Sequence, residues 1–320
     1  MSMEGSGEMS RGRFAMEVLR VSYTLPFVLA SVTGVAFALT VEADYLLALL
    51  IPLDVFFLAV FVNFSNDYFD HRRGVDRIRF KMDREFEEGM KEILPESFYW
   101  SGNSFDSGII DEAQGKWIMA LIAAAAVLVA IPIIHLGGWL VVLLGAIGFF
   151  LSYFYTAPPL SLGSRGLGEL DVGISFTFMS FFSYFVIVRE FALEPLLVAL
   201  TVGLTMATVR IVDQMTGYEA HLATGEKDLS VILGIDSAAK VVSFLLPANY
   251  LLSALLALYH PAYLLLFLTL PAAIKTIRFL GDREDRFRVL RPVPEIFKVA
   301  VGNQLLIVLS LTVQTFWTFG

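Results

Sequence analysis

The sequence predicts an all-α polytopic membrane protein: nine transmembrane helices in one bundle, with a polar cavity at the cytoplasmic end. Three observations carry that expectation. Of 320 residues, 57% are hydrophobic and only 17% charged, with a mean hydropathy of +0.70; a soluble domain holds about a quarter charged residues. Apolar runs near the roughly twenty residues that cross a bilayer recur along the whole chain. The basic residues fall almost entirely on alternate connections between those runs. Strand alternation is absent, and only helices or closed barrels satisfy every backbone group within lipid, so the runs are read as helices.

Taken in order, the spans fall at 21–41, 45–65, 117–136, 138–157, 170–188, 194–213, 238–258, 261–280 and 296–318. With nine spans, the N-terminal leader and the connections after the second, fourth, sixth and eighth share one side. Counted with the adjoining helix ends, they hold 22 of the 23 lysines and arginines, and only Arg189 falls opposite. That asymmetry predicts a cytoplasmic N terminus in the cell membrane. The far-side connections, such as Val41–Asp44 and His135–Gly138, are short. The longest near-side connection, 67–116, exceeds a mere linker and is expected to hold a short helix near 83–92 and a Ser/Gly stretch at 101–108. The whole chain, 1–320, reads as a single integral membrane domain, and no cleavable signal peptide is evident. A net charge of −8 argues against nucleic acid as a partner. The absence of cysteine excludes disulfides, thiolate metal sites and a cysteine nucleophile.

Polar residues cluster where spans meet the cytoplasmic side. Asn63, Asn66, Asp67 and Asp70 follow the second span at helical spacing, and Asp76 lies just beyond. Oxygen ligands of this kind suit a hard divalent cation; magnesium takes one or two carboxylates and completes its shell with water and substrate phosphates. At the end of the sixth span, Arg210, Asp213, Gln214, Gly217 and His221 line a second face, followed by Glu219 and Gly225-Glu226-Lys227. Ionisable groups at membrane depth mark functional paths. After the fourth span, Tyr155-Thr-Ala-Pro158-Pro159 leads into a glycine-rich loop whose only cation is Arg165, a residue type that grips phosphate. Arg20 stands before the first span, where an arginine more often anchors to lipid headgroups. Phe149, Phe150, Tyr153, Phe154 and Tyr155 crowd one span end, and most such aromatics face lipid. Two classes of function remain open at this point. One is a magnesium-dependent enzyme, and the other is a transporter with a polar site between helix ends. Polar clusters confined to one face favour chemistry at one surface.

Taken together, these motifs resemble the UbiA superfamily of intramembrane prenyltransferases. The likeness runs nearly end to end: nine spans, Asn66-Asp67-Tyr-Phe-Asp70 after the second, Ser107-Gly108-Ile-Ile-Asp-Glu-Ala113 before the third, Tyr155-Thr-Ala-Pro-Pro with Arg165-Gly-Leu-Gly-Glu169, and Gly225-Glu-Lys227 leading to Leu229-Ser-Val-Ile-Leu-Gly234. It looks most like the branch that prenylates dihydroxynaphthoate for menaquinone. The resemblance implies that Mg2+ bridges acidic motifs to an isoprenoid diphosphate, geranylgeranyl or similar, which ionises to an allylic cation attacked by a lipophilic or aromatic acceptor. It implies catalytic roles for Asp67, Asp70, Asp213 and Tyr155. Metal ligation falls to Asn66, Asp67, Asp70, Asp76, Asp213 and Gln214, and diphosphate binding to Arg20, Arg72, Arg165, Arg210 and Lys227. A geranylgeranylglyceryl phosphate acceptor of ether-lipid synthesis, hydroxybenzoate or haem would leave similar clusters. The second motif departs from the family pattern. Aligned through Leu229–Gly234, the two usual aspartates fall at Gly217 and His221. Asp213, one turn away, is expected to substitute, and His221→Asp is expected to raise magnesium affinity if that position faces the metal. The stretch 81–102 looks like an insertion.

Overall fold

Apolar runs punctuated by glycine, proline and short polar turns become a chain of helices. The structure is a computed structural model that describes residues 18–74, 92 and 103–318. Its α-helices are α1 (Leu25–Leu39), α2 (Tyr45–Arg73), α3 (Glu112–Gly137), α4 (Leu140–Thr156), α5 (Gly168–Val188), α6 (Leu193–Thr216), α7 (Tyr218–Thr224), α8 (Leu229–Leu233), α9 (Ile235–Leu256), α10 (Leu270–Gly281) and α11 (Pro292–Thr318). A 3₁₀ helix, Pro261–Thr269, runs directly into α10. Each apolar run expected to span falls on one of these helices. By length and composition, seven among the described residues can cross a membrane: α2, α3, α5, α6, α9, the Pro261–Gly281 helix and α11. The helices α1 and α4 are apolar but shorter, at 15 and 17 residues. The chain is an integral membrane protein.

The expected 67–116 connection is narrower than its polarity suggests. Helix α2 continues without a breaker through the first polar cluster and stops at Gly74, whose φ of +73° is open to glycine at little cost. Helix α3 starts at Glu112 behind Asp111, which caps it in a reciprocal pair with Gln114. Most of the helix expected near 83–92, together with residues 101–102 of the Ser/Gly stretch, lies outside the described residues. Residues 103–110 form turns that cover the end of α2. Asn103 Nδ2 donates to the Asp67 carbonyl (2.7 Å), His71 Nδ1 pairs with Asp106 Oδ1 (2.6 Å), and Phe105 packs on Phe64 and Tyr68.

Helix α6 forms the centre, with α5, α9, α11 and α1 around it. Small residues permit the approach. A Cβ on Gly203 of α6 would collide with Thr177 Oγ1 and the Gly173 carbonyl of α5, and one on Gly34 of α1 would collide with the Ser180 carbonyl of α5. In lipid, such close backbone contacts and interhelical hydrogen bonds replace the hydrophobic drive. Thr33 and Ser180 share a bond of 2.8 Å, Thr205 donates to Asn249 (3.0 Å), and Thr269 donates to Asn303 (2.7 Å). Outward residues of α2 and α3, such as Leu49, Trp117, Leu121 and Leu128, are exposed and apolar, as a lipid-facing wall must be. The ends of α2, α4 and α6 and the starts of α3, α5 and α9 gather at one end of the bundle. At the opposite end Arg189 donates to the Leu136 carbonyl.

Candidate active site

The first motif occupies the last three turns of α2. Asn66 Nδ2 donates to Asp70 Oδ2 (2.7 Å), so the i,i+4 pair shares a face as the spacing predicts. Asn66 Oδ1 accepts from Thr156 Oγ1 (2.7 Å), which fastens this face to the end of α4. Asp67 turns to the neighbouring side. It is only 3% exposed and takes the Nε of Arg20 at 2.6 Å. Arg20, expected at a headgroup or the diphosphate, is therefore the counter-ion of a motif carboxylate. Asp70 Oδ1 accepts from Arg73 Nη2 at 3.2 Å.

The second motif begins in the last two turns of α6. Arg210 Nη1 reaches Asp213 Oδ2 (3.3 Å), and its guanidinium lies 5.3 Å from the centre of the Tyr155 ring. The Arg210 Nε is buried with no hydrogen-bond partner among the described residues. Gln214 Nε2 donates to the same Asp213 oxygen (3.1 Å), while that carboxylate stays 49% exposed. Helix α6 ends at Gly217, and α7 carries His221 inward. His221 is 4% exposed; its Nδ1 meets Asp228 Oδ2 at 2.7 Å and its Nε2 lies 3.8 Å from Glu226 Oε2. Asp228 also caps α8 through the Val231 amide. Burial pushes the Asp228 carboxyl up, but the hydrogen bonds from His221, Ser230 and that amide outweigh it and hold the group below the usual carboxylate range.

The two motifs meet at the loop between α4 and α5. Arg73 is the joint: its Nη2 donates to Asp70 and to the Thr156 carbonyl (3.2 Å each), and its Nη1 to Ser164 Oγ (2.9 Å) and Glu226 Oε1 (3.4 Å). The Lys227 amide donates to the Ser164 carbonyl (3.0 Å) in a short bridge that sets Arg165 beside Lys227, both exposed. Glu169 Oε1 accepts from the Leu229 amide (3.0 Å) and ties the start of α5 to α8. A cavity of about 300 Å³ opens here, lined by Arg73, Ser164, Thr224, Gly225 and Glu226. Below it, Phe69 meets Tyr153, which stacks on Phe149, and Phe149 meets Phe61, an aromatic wall descending between α2 and α4.

Two expectations change. Arg72, expected at the diphosphate, points away: it is 54% exposed, 3.9 Å from Glu112 and over the Tyr68 ring. One residue further on, about 100° around the helix, Arg73 faces the joint instead. His221, aligned with a metal-binding aspartate, is buried against Asp228, and so is a packing residue rather than an open ligand. Arg73 and Asp228 were not singled out from the sequence, and Thr156 and Glu226 stood there only as members of quoted motif runs; the three-residue spacing of Asp70 and Arg73 was the signal for that pair. Asp76 lies outside the described residues.

Residues 105–289 match the UbiA prenyltransferase family. The chain belongs to that family. Among UbiA relatives, the 2-carboxy-1,4-naphthoquinone phytyltransferase of Synechocystis is 26% identical over 82% of this chain and 81% of its own. The 1,4-dihydroxy-2-naphthoate octaprenyltransferase of Bacillus subtilis is 21% identical over 76% and 74%. A UbiA homolog from Archaeoglobus fulgidus, solved with GPP and Mg2+, shares the fold with a TM-score of 0.64 and 18% identity across 92% of this chain and 98% of that one. The apo UbiA homolog from Aeropyrum pernix matches with the same TM-score and coverage at 14% identity.

The donor set fits a hard divalent ion. Asn66, Asp67 and Asp70 on one helix end, and Asp213 with Gln214 on the other, offer only oxygen ligands. Among the described residues no three carboxylates or histidines are gathered into a ready-made cage. Magnesium needs none, because it keeps waters and takes substrate phosphate oxygens.

Proposed function

We propose that this UbiA protein transfers a prenyl group from an isoprenoid diphosphate, geranylgeranyl or similar, to a naphthoate-type aromatic acceptor, with magnesium as the cofactor. The observation that carries the reading is the joint described above: Asp70 reaches the second motif's loop through Arg73 and Glu226, while Tyr155 lies beneath Arg210 and Asp213. One relative is named for 2-carboxy-1,4-naphthoquinone and the other for 1,4-dihydroxy-2-naphthoate, and these bicyclic aromatic acceptors favour 1,4-dihydroxy-2-naphthoate over geranylgeranylglyceryl phosphate.

In this reading Asn66, Asp67, Asp70, Asp213, Gln214 and Asp76 hold magnesium. When bound, the metal neutralises the diphosphate and makes it a better leaving group. Arg73, Arg165, Arg210 and Lys227 supply fixed donors to the charge that develops as the carbon–oxygen bond breaks and its electron pair leaves with the diphosphate. The prenyl chain lies along the aromatic wall from Phe69 to Phe61, and the faces of Tyr153 and Tyr155 attract the allylic cation. The acceptor's ring carbon then closes the new bond. Helices α1 and α4 complete nine crossings through local thinning of the bilayer around them. The side bearing 22 of 23 basic residues faces the cytoplasm of the cell membrane.

Incubating the purified protein with labelled geranylgeranyl diphosphate, a panel of acceptors and either magnesium or a chelator tests this directly. Prenylated naphthoate in the magnesium arm alone is the expected outcome. Product from a phosphoglyceryl acceptor only would replace the acceptor, and no product with any acceptor would reject the reading.

A further inference from the structure

We propose that His221 is a positioning residue: held by Asp228, it props Glu226 against Arg73 and so fixes Arg73 across the two motif-bearing helix ends. This rests on the reading of the site as a diphosphate-binding centre and adds to it a role for the residues that break the second motif. The contacts run in series, three of them hydrogen bonds and the His221–Glu226 link a looser approach of ring nitrogen to carboxylate. Asp228 Oδ2 meets His221 Nδ1 at 2.7 Å, and His221 Nε2 stands 3.8 Å from Glu226 Oε2. Glu226 Oε1 takes Arg73 Nη1 at 3.4 Å, and Arg73 Nη2 takes Asp70 Oδ1 at 3.2 Å. The inner members are buried, with Asp228 and His221 at 2% and 5% side-chain exposure, while Glu226 and Arg73 open toward the cavity at 17% and 31%. The series therefore runs from a fixed interior anchor to a group lining the site.

Gly217 is the other half of the arrangement. A Cβ at that position would stand 2.7 Å from His221 Nε2 and 2.8 Å from its Cε1. The imidazole cannot swing aside without leaving Asp228. Gly217 and His221 thus act as one unit: the glycine vacates the volume that the ring fills. A second anchor from the same loop supports it, since Asp228 also caps α8 and accepts from Ser230. Arginine is suited to the outer end, because its fork makes four contacts at once here.

The test uses the purified full chain in lipid nanodiscs and four variants. Asparagine at 221 keeps a donor near the Nδ1 position for Asp228 but cannot reach Glu226. Glutamine places its amide near the Nε2 position instead. His221→Asn is expected to raise the KM for geranylgeranyl diphosphate about fivefold while leaving the KM for the acceptor within twofold, and His221→Gln is expected to recover part of that loss. Arg73→Gln is expected to raise the diphosphate KM tenfold or more. The double variant Arg73→Gln/His221→Asn is expected to match Arg73→Gln alone, because a residue acting through Arg73 has nothing left to act on. Losses that multiply in the double variant, or a lowered melting temperature with an unchanged diphosphate KM, would overturn the positioning role while leaving the proposed function standing. An unchanged diphosphate KM in Arg73→Gln would reject the placement of the diphosphate itself, and this inference with it. If His221→Asn does not fold, Glu226→Gln is read by the same criteria.

Discussion

Replacing His221 by aspartate puts a carboxylate where the resemblance places one, and that reading alone expects it to improve magnesium binding. The structure predicts the reverse. The imidazole is 4% exposed and sits between Asp228 at 2.7 Å and Glu226 at 3.8 Å. Aspartate removes the partner of a buried carboxylate, which costs about 3–5 kcal/mol, and adds a third negative charge to the same space. At about 4 Å and an effective dielectric of about 20, that repulsion alone is roughly 4 kcal/mol. Protonation of one carboxyl caps the combined loss, so about 4 kcal/mol is the expected total. At about 2 °C per kcal/mol, the low end that a chain of 320 residues warrants, thermal unfolding in nanodiscs at neutral pH should show a melting temperature lower by roughly 8 °C. A variant as stable as the parent, with tighter magnesium binding by titration, would show that His221 faces the metal and would refute the burial argument.

The other expectations concern separate parts of the molecule. Arg72→Ala should leave the KM for prenyl diphosphate within twofold, because its guanidinium faces Glu112 and solvent; a loss as large as that of Arg73→Ala would place Arg72 at the diphosphate after all. Gly203→Ala should destabilise the bundle by about 1–3 kcal/mol through overpacking against Thr177 and Gly173, measured as a lower melting temperature, and an unchanged value would mean that α5 and α6 are not in close contact. The Asp228 carboxyl is held below its ordinary range by His221, Ser230 and Val231. Its contribution to stability is therefore complete above about pH 4 and lost as pH falls through the lower folded value. Asp228→Asn should flatten the acid limb of a stability–pH curve, and an acid limb identical to the parent's would contradict the depressed value.

The helices were legible because lipid imposes a fixed ruler of apolar length, and Tyr45, Gly168 and Leu193 begin helices close to where hydropathy places them. The ruler fails where it meets polar residues. Hydropathy ends the second span near Ser65, yet α2 runs on to Arg73, since nothing there breaks a helix and residues 103–110 cover its end. That extension decides which arginine serves the site: Arg72 and Arg73 are indistinguishable by composition and differ only by a rotation about α2. The helical pairing of Asn66 with Asp70 was legible from spacing alone. The clamp of Arg73 onto Ser164 and Glu226 was not, because it joins residues 91 and 153 positions apart. The burial of His221 was not legible, because the partner that buries the ring, Asp228, lies outside the second motif.

The most direct test of a shared diphosphate site is the release of inorganic diphosphate from geranylgeranyl diphosphate by the purified protein, with magnesium and dihydroxynaphthoate, compared between the parent and Asp70→Ala. Asp70 stands where the first motif meets Arg73. Release should fall by two orders of magnitude or more in the variant, and in the parent when magnesium is chelated. Turnover by Asp70→Ala at the parent's rate would contradict it.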